Sequence, residues 1–543
     1  MALATSTSLR QRRRSLKALL QLPALFPRPI PGAPSASPLH DATSTVSLPE
    51  DILRDILQEL SSADILNLSL ASSHLRELLA PELYKTMHLR SSRACESGLK
   101  LLRNRPELCA HVRKLALRPN YYLAWPRPDD AVDEGWVSKM VSALAPHLNR
   151  LRTFDWDGRE MPSNGLWRTL RESCPELKEL YTNVGMASIN CASELFCFDD
   201  LTLFSLSIRH GLPDTSAFPV REELPPALWD MLLNRCPNLT ELTLCSFSAG
   251  NRIFSIDRIV EGNWPALSSL ALGTFGYNSD YSLGGAPPEM PLFLGRHPRL
   301  SALRLSWNFR RWMSPDEDTA FQLQLPQTLE EFSGLVQQLP TMGWASVVTL
   351  DLMCEPLYAA RFTPLCDTLK MMPALRNLEL WVHVEPNMAA HAAFLNNLFS
   401  SIPRLEDLHF MCTTTFSKKP LTILSRALRS LPYLRSFALT KGHRYADETM
   451  RASAVRIFRA VAGPAVQTRL EQVSVRWARA ACRNHLKQEG TYARLLPMPP
   501  TTSTAALARD KEPTAEIEAW ERGIRAVGGA FERKYRFALT AET

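Results

Sequence analysis

The residues of this 543-residue chain best placed to touch another molecule are Thr243, Arg304, Asp351, Glu379 and His409, with Trp307 and Trp381 close by. Each of the first five sits between two apolar residues of a short alternating run, where period-2 geometry sends it to the face opposite its neighbours. The two tryptophans fall just after or late in such runs, and Trp is enriched among residues that anchor interfaces. The same tryptophans also fit as fillers of the turn into the next element. The five mix both charge signs with neutral groups, which excludes a uniformly basic groove for nucleic acid. Bond-making chemistry has no comparable signature. Walker, GxGxxG, HExxH and GxSxG patterns are missing, and the 12 histidines do not alternate with cysteines at zinc-ligand spacing. Carboxylate pairs such as Asp129-Asp130 and Asp199-Asp200 carry no weight alone. The expectation is a binding protein without catalytic residues, metal or cofactor.

The elements that position these residues are repeats. A Pro-x-Leu-x-x-Leu-x-Leu motif returns at Pro237, Pro265, Pro298, Pro373, Pro403 and Pro432, at intervals of roughly 26–36 residues. Weaker copies are Val112-Leu115-Leu117, Leu151-Phe154-Trp156, Leu177-Leu180, Leu203-Leu206-Ile208, Val347-Leu350-Leu352 and Leu470-Val473-Val475. Before the motif lies a helical stretch, such as Leu228-Trp229-Met231-Leu232-Leu233 or Phe394-Leu395-Leu398-Phe399. The proline stops that helix, and the next strand begins. One such unit cannot bury its apolar side alone, so neighbours must stack. The expected fold is α/β: short parallel strands on a concave inner face, helices outside. It resembles a leucine-rich-repeat solenoid. The Asn or Cys that usually follows the strand is mostly missing, with Cys245 and Cys412 as partial echoes.

A second apolar constellation precedes the repeats. Ser47 and Glu50 form a capping-box pattern, and Ile52, Leu53, Ile56, Leu57 and Leu60 follow at helical spacing. Ile65, Leu66 and Leu70 make a second helix, and Leu75, Leu78 and Leu79 a third, expected to end at Pro81. A domain this small buries too little surface to hide so many leucines. On Leu48-Pro49, Ile52, Ile56, Leu60, Asp64-Ile65-Leu66 and Leu70, with Leu75, Leu83 and Tyr84 closing the third helix, the segment resembles an F-box. It departs from that family where Leu75 and Ser72 replace a common Trp and Cys. The resemblance implies docking to the Skp adaptor of a cullin–RING ubiquitin ligase, with Leu48, Pro49, Ile52, Ile56, Leu60, Ile65, Leu66 and Leu70 as the adaptor-binding residues. It further implies that the solenoid binds a protein substrate, with Trp307, Arg304, Asp351, Glu379, Trp381 and His409 as candidates. An F-box followed by ragged repeats resembles large families of fungi. The alternatives are a scaffold whose helical bundle only caps the repeats, and a GTPase-activating solenoid supplying Arg304 or Arg476.

The organisation expected is a basic, Pro- and Ser-rich tail over 1–45, the F-box over 46–90, the solenoid over 91–477, a linker over 478–512 and a capping helix over 513–543. That helix is read from Ile517, Trp520, Ile524 and Val527 on one face. Three long connections hold aromatics suited to contact: 118–136 with Tyr121, Tyr122 and Trp125; 273–298 with Phe275, Tyr277 and Tyr281; and 306–326 with Trp307 and Trp312 beside Arg310, Arg311 and Asp316-Glu317-Asp318. Net charge is +7, part of it in the Arg10–Arg14 run. The 11 cysteines have no CxxC pair, which fits a reducing cytoplasmic or nuclear setting. No apolar run reaches membrane-spanning length. The sequons at Asn67 and Asn238 read as coincidences.

Overall fold

The computed structural model describes residues 56–120, 131–208, 220–246, 252–274, 289–305, 326–339, 344–383, 388–412, 418–441, 470–482, 485–495 and 515–525, a few single positions aside. The chain divides into two compact units, residues 1–121 with 126–181, and 122–125 with 182–543.

The first unit opens with helical residues around Ile56 and Leu57, then α1 (Ser62–Ser69) and α2 (Ser73–Tyr84). Leu57, Ile65 and Leu79 form their core, with Leu60, Leu68, Leu75, Leu78 and Leu83 packed around it. The Ser72 hydroxyl caps α2 by accepting from Leu75 N at 3.1 Å, so the serine at the departing position has a local role. α2 does not end at Pro81 but runs through it to Tyr84. Proline costs one backbone bond in the last turn, and Leu83 on the bundle core holds that turn in place. The strand β1 (Thr86–Leu89) then pairs in parallel with β2 (Lys114–Leu117), so the sheet starts inside the segment read as F-box. Between them lie α3 (Ser92–Asn104) and a 3-10 turn, Pro106–His111, which packs on α2. α4 (Glu134–Leu144), β3 (Thr153–Trp156), α5 (Asn164–Ser173) and β4 (Glu179–Val184) repeat the pattern. β2–β3 and β3–β4 are parallel, and α3, α4 and α5 pack in sequence.

In the second unit the ladder runs β5 (Leu203–Ile208), β7 (Glu241–Ser246), β9 (Ser269–Thr274), β10 (Ala302–Leu305), β11 (Glu331–Ser333), β12 (Thr349–Leu357), β13 (Asn377–Val382), β14 (Asp407–Cys412), β15 (Ser436–Lys441) and β16 (Gln472–Cys482), every pair parallel. β6 (Val220–Glu223) and β8 (Arg252–Ser255) pair separately, in parallel. The helices are α6 (Pro226–Asp230), continued by a π turn at Met231–Arg235, then α7 (Met290–Gly295), α8 (Phe362–Lys370), α9 (Met388–Ser401) and α10 (Lys418–Ala427). α8 packs on α9 and α9 on α10. All the motif copies read from the sequence are strands here. β11, with Phe332 buried in the ladder, lacks the motif proline and was not among them.

The motif proline does more than stop a helix. In five copies it sits second in a β-turn that the following leucine closes: Leu267 N donates to Trp264 O at 2.9 Å, and Leu300, Leu375, Leu405 and Leu434 repeat the bond to His297, Met372, Ile402 and Leu431. Proline's fixed φ suits that position. All five leucines are buried.

Past β16 the chain departs from expectation. The linker and capping helix are replaced by β17 (His485–Leu495) and β18 (Ala515–Arg525), paired antiparallel as β16–β17–β18. The last parallel strand leaves a row of unpaired backbone groups, and eleven-residue strands satisfy it. Ala515-Glu516-Ile517-Glu518-Ala519 alternates as well as any strand, so the available edge decided between two periods.

Two local devices hold repeats together. Arg235 bonds the carbonyls of Phe196 and Phe198 and pairs with Asp199 at 3.2 Å and Asp230 at 3.0 Å. Beside it Asp200 takes φ 54°, its carboxylate accepting from Asn238 Nδ2 at 2.8 Å and its N–H bonding Arg235 O. This pair of aspartates is therefore structural. Arg235→Ala is expected to cost about 2 kcal/mol, mainly through the two orphaned carbonyls, read as a lower chemical-denaturation midpoint.

His297 is buried, its Nδ1 donating to Phe293 O at 2.7 Å while Nε2 accepts from Trp264 N at 3.2 Å. This geometry needs the neutral ring. Burial pushes its pKa below the ordinary 6.5, assisted by Arg296 and opposed by the Phe293 carbonyl. Above that ordinary value both folded and unfolded forms are neutral. Below it the unfolded chain binds a proton that the folded chain resists, so stability falls as pH drops below about 6.5, by at most ~1.4 kcal/mol per unit. A His297→Asn chain is expected to melt with a shallower pH slope between about 6.5 and 5.

Candidate functional site

Two surfaces qualify, one in each unit. On the helical bundle, Ile56 is 40% and Leu70 53% exposed. Leu66 is half-buried, and Leu60 packs against the bundle core. Ile65 lies within that core, so it supports the surface from behind rather than forming it. Leu48, Pro49 and Ile52 lie outside the described residues. Single exposed aliphatics are ordinary on a folded surface, and Leu292 and Met371 are exposed as well. Ile56 and Leu70 gain their weight from lying in the segment that resembles an F-box.

On the sheet of the second unit, strand register gathers the residues singled out from sequence into one row. Ser205, Thr243, Ala271, Arg304, Ser333, Asp351, Glu379, His409, Ala438 and Ser474 stand side by side across ten strands. Their flanking leucines fill the opposite face, and within the row itself only Thr243, Arg304 and Glu379 are partly exposed, the other seven being buried. Arg304 pairs with Glu331 of the adjacent row at 3.3 Å. Asp351 is buried, its Oδ1 accepting from Met353 N at 2.9 Å, which makes it partly a backbone brace. Trp381 occupies the next row, beside Met411 and half-buried. Trp307 and the long aromatic connections at 121–130, 275–288 and 306–325 lie outside the described residues, as does the 1–45 tail.

Sequence reading missed Thr440. His409 Nδ1 donates to Glu379 Oε2 at 3.1 Å, and its Nε2 accepts from Thr440 Oγ1 at 2.9 Å. Hydroxyl, imidazole and carboxylate in that order have the connectivity of a hydrolytic triad. Yet Thr440 is 0% and His409 7% exposed, so no substrate carbonyl can reach the hydroxyl. The trio locks three strands in register, and the carboxylate sets the tautomer of the ring. The motif offset sets Glu379 beside His409 and His409 beside Ala438; what it does not record is that the ring reaches diagonally to Thr440, two residues further on.

The thiols offer no nucleophile in the interior. Burial pushes Cys95 and Cys174 up to about 12, and Cys109, Cys236 and Cys366 to about 11. Such groups are protonated and inert at neutral pH. Among the described residues no group of three or more His, Cys, Asp or Glu is placed to hold a metal. No described helix is long and apolar enough to cross a membrane.

Residues 45–90 match the F-box-like family model. The chain thus carries an F-box-like domain, followed by a leucine-rich-repeat-like α/β region. No curated protein sequence matches it. Among solved structures, a chain of the Rad7 and Elc1 complex in yeast is 15% identical, with 83% of this chain and 97% of that one covered and a TM-score of 0.40. The leucine-rich repeat-containing protein LegL7 from Legionella pneumophila is 18% identical, with coverage of 55% and 91% and a TM-score of 0.31.

Proposed function

We propose that this chain is the substrate receptor of a Skp–cullin–F-box ubiquitin ligase. The F-box bundle seats on the Skp adaptor, and the outward sheet face of the repeats holds a protein destined for ubiquitin transfer through its partly exposed side chains, Thr243, Arg304 and Glu379 among them. The observation that carries this reading is the pair of exposed aliphatics, Ile56 and Leu70, on the segment that matches the F-box-like family model. Such a receptor makes and breaks no bond itself. It acts by raising the local concentration of its target beside the ligase's catalytic end. Its site of action on this reading is the cytoplasm, the nucleus or both. Purified full-length chain and Skp adaptor are expected to co-migrate as a 1:1 species on gel filtration, and to recruit cullin; separate elution would sink the proposal.

A second reading has one observation in its favour. The helix α2 packs on the 3-10 turn Pro106–His111 of the first unit, as a cap on the repeats would. In that case the bundle is structural and the chain a scaffold, and the adaptor elutes alone.

A further inference from the structure

The sheet face of the second unit carries a charge opposite to that of the chain. Overall net charge is +7. Along the three outward rows from β5 to β15, however, the carboxylates Glu241, Glu331, Asp351, Glu379 and Asp407 face, among the described residues, one guanidinium, Arg304, which Glu331 already engages; Arg476 follows only on β16, two strands beyond β14. Four of these acids fall on four consecutive strands, β11 to β14. At the usual strand spacing they span about 14 Å, the length of four or five extended residues.

An independent feature borders the acids. In the third outward row Trp381 stands beside Met411, one strand apart. At the ends of the same strands Tyr358 is 53% exposed, its ring 5.0 Å from that of His383. Aromatic faces attract lysine and arginine head groups, and methionine adapts to their alkyl stems. Carboxylates on one side and aromatics on the other favour the same guest. Phosphate-bearing partners are repelled by such a face.

We infer that the face spanning β10 to β14 binds a lysine- and arginine-rich extended segment of a target protein. This rests on the receptor reading for its biological sense, but its chemistry is separable from it. Asp351 is buried and lends only its charge from behind. Glu331, Glu379 and Asp407 are partly solvated and contribute modestly one by one, three together being worth about tenfold in affinity.

The test pans a randomised ten-residue peptide library on the full chain, and in parallel on a Glu331→Gln/Glu379→Gln/Asp407→Asn chain whose melting curve matches the wild type. Lysine and arginine enrichment on the wild type is expected. A synthetic peptide taken from that selection should then bind the triple variant at least about tenfold more weakly in fluorescence anisotropy, and weaken in both as salt rises. Selection of acidic or purely apolar peptides, the absence of any selection, or equal affinity for the two chains overturns the inference. If the triple variant unfolds, Glu379→Gln alone and Asp407→Asn alone replace it, each with a measurable loss expected and unchanged binding fatal. Adaptor co-migration, run on the same preparations, reports on the F-box end alone, so failure here and failure of the receptor reading are told apart.

Discussion

Adaptor capture is expected to vanish when Ile56 and Leu70 are both replaced by glutamate. Fully burying an aliphatic side chain of this size stabilises by about 1.5–3 kcal/mol. Losing two weakens the complex by at least ~3 kcal/mol, more than a hundredfold, before the cost of bringing two carboxylates against an apolar partner is counted. The folded chain should hardly notice. Both side chains already face solvent, and exposed substitutions stay within about 0.5 kcal/mol. Loss of co-migration at unchanged melting temperature is the predicted pair of readings. Ile65→Glu is the informative contrast. Ile65 is a core member of the bundle, so its replacement should abolish capture and bundle stability together. Retained capture in the double variant would refute the docking surface.

The largest effect on stability is expected at Trp264. Its ring is fully buried, lies edge-on to Phe293 with centroids 6.2 Å apart, and donates Nε1–H to Leu232 O at 3.0 Å. Its own backbone N–H is held by His297. Gly262 is confined to glycine for the same reason, since a Cβ there would collide with the indole. Trp264→Ala therefore opens a large cavity, costing about 3–5 kcal/mol, and strands a buried carbonyl for a further ~1–3 kcal/mol. That sum is comparable with the whole stability of many domains. Repeats exchange energy mainly with their neighbours, so hydrogen exchange should accelerate first in β7 and β9. Trp264→Phe separates the two terms, keeping most of the area and losing the donor. Its cost should be well under half that of alanine in chemical denaturation. Equal costs would show that the hydrogen bond, rather than volume, dominates.

Much of this molecule was legible because its governing interactions are local. A leucine two residues after a proline closes a β-turn within four residues, and the alternation at Leu242-Thr243-Leu244 sorts side chains to two faces without reference to anything distant. Stacking then follows, since a unit with one apolar side has nowhere else to put it. The F-box segment was readable for the same reason: helical spacing is a property of neighbours along the chain, and the family model covers the same residues.

What the amino-acid order alone determined, then, is which units form and which face of each is greasy. Tertiary structure decided the rest. Ile56 and Ile65 are chemically identical, and only the closed bundle makes one a surface residue and the other core. Repeat spacing sets Glu379 beside His409, but the ring's contact with Thr440 runs diagonally past its register partner Ala438, and only side-chain packing in the assembled sheet decides that. Residues 515–525 suit a helix or a strand about equally, and an unpaired sheet edge settled the matter. In each case the deciding energy comes from a partner far away in sequence, and no local pattern records where that partner will be.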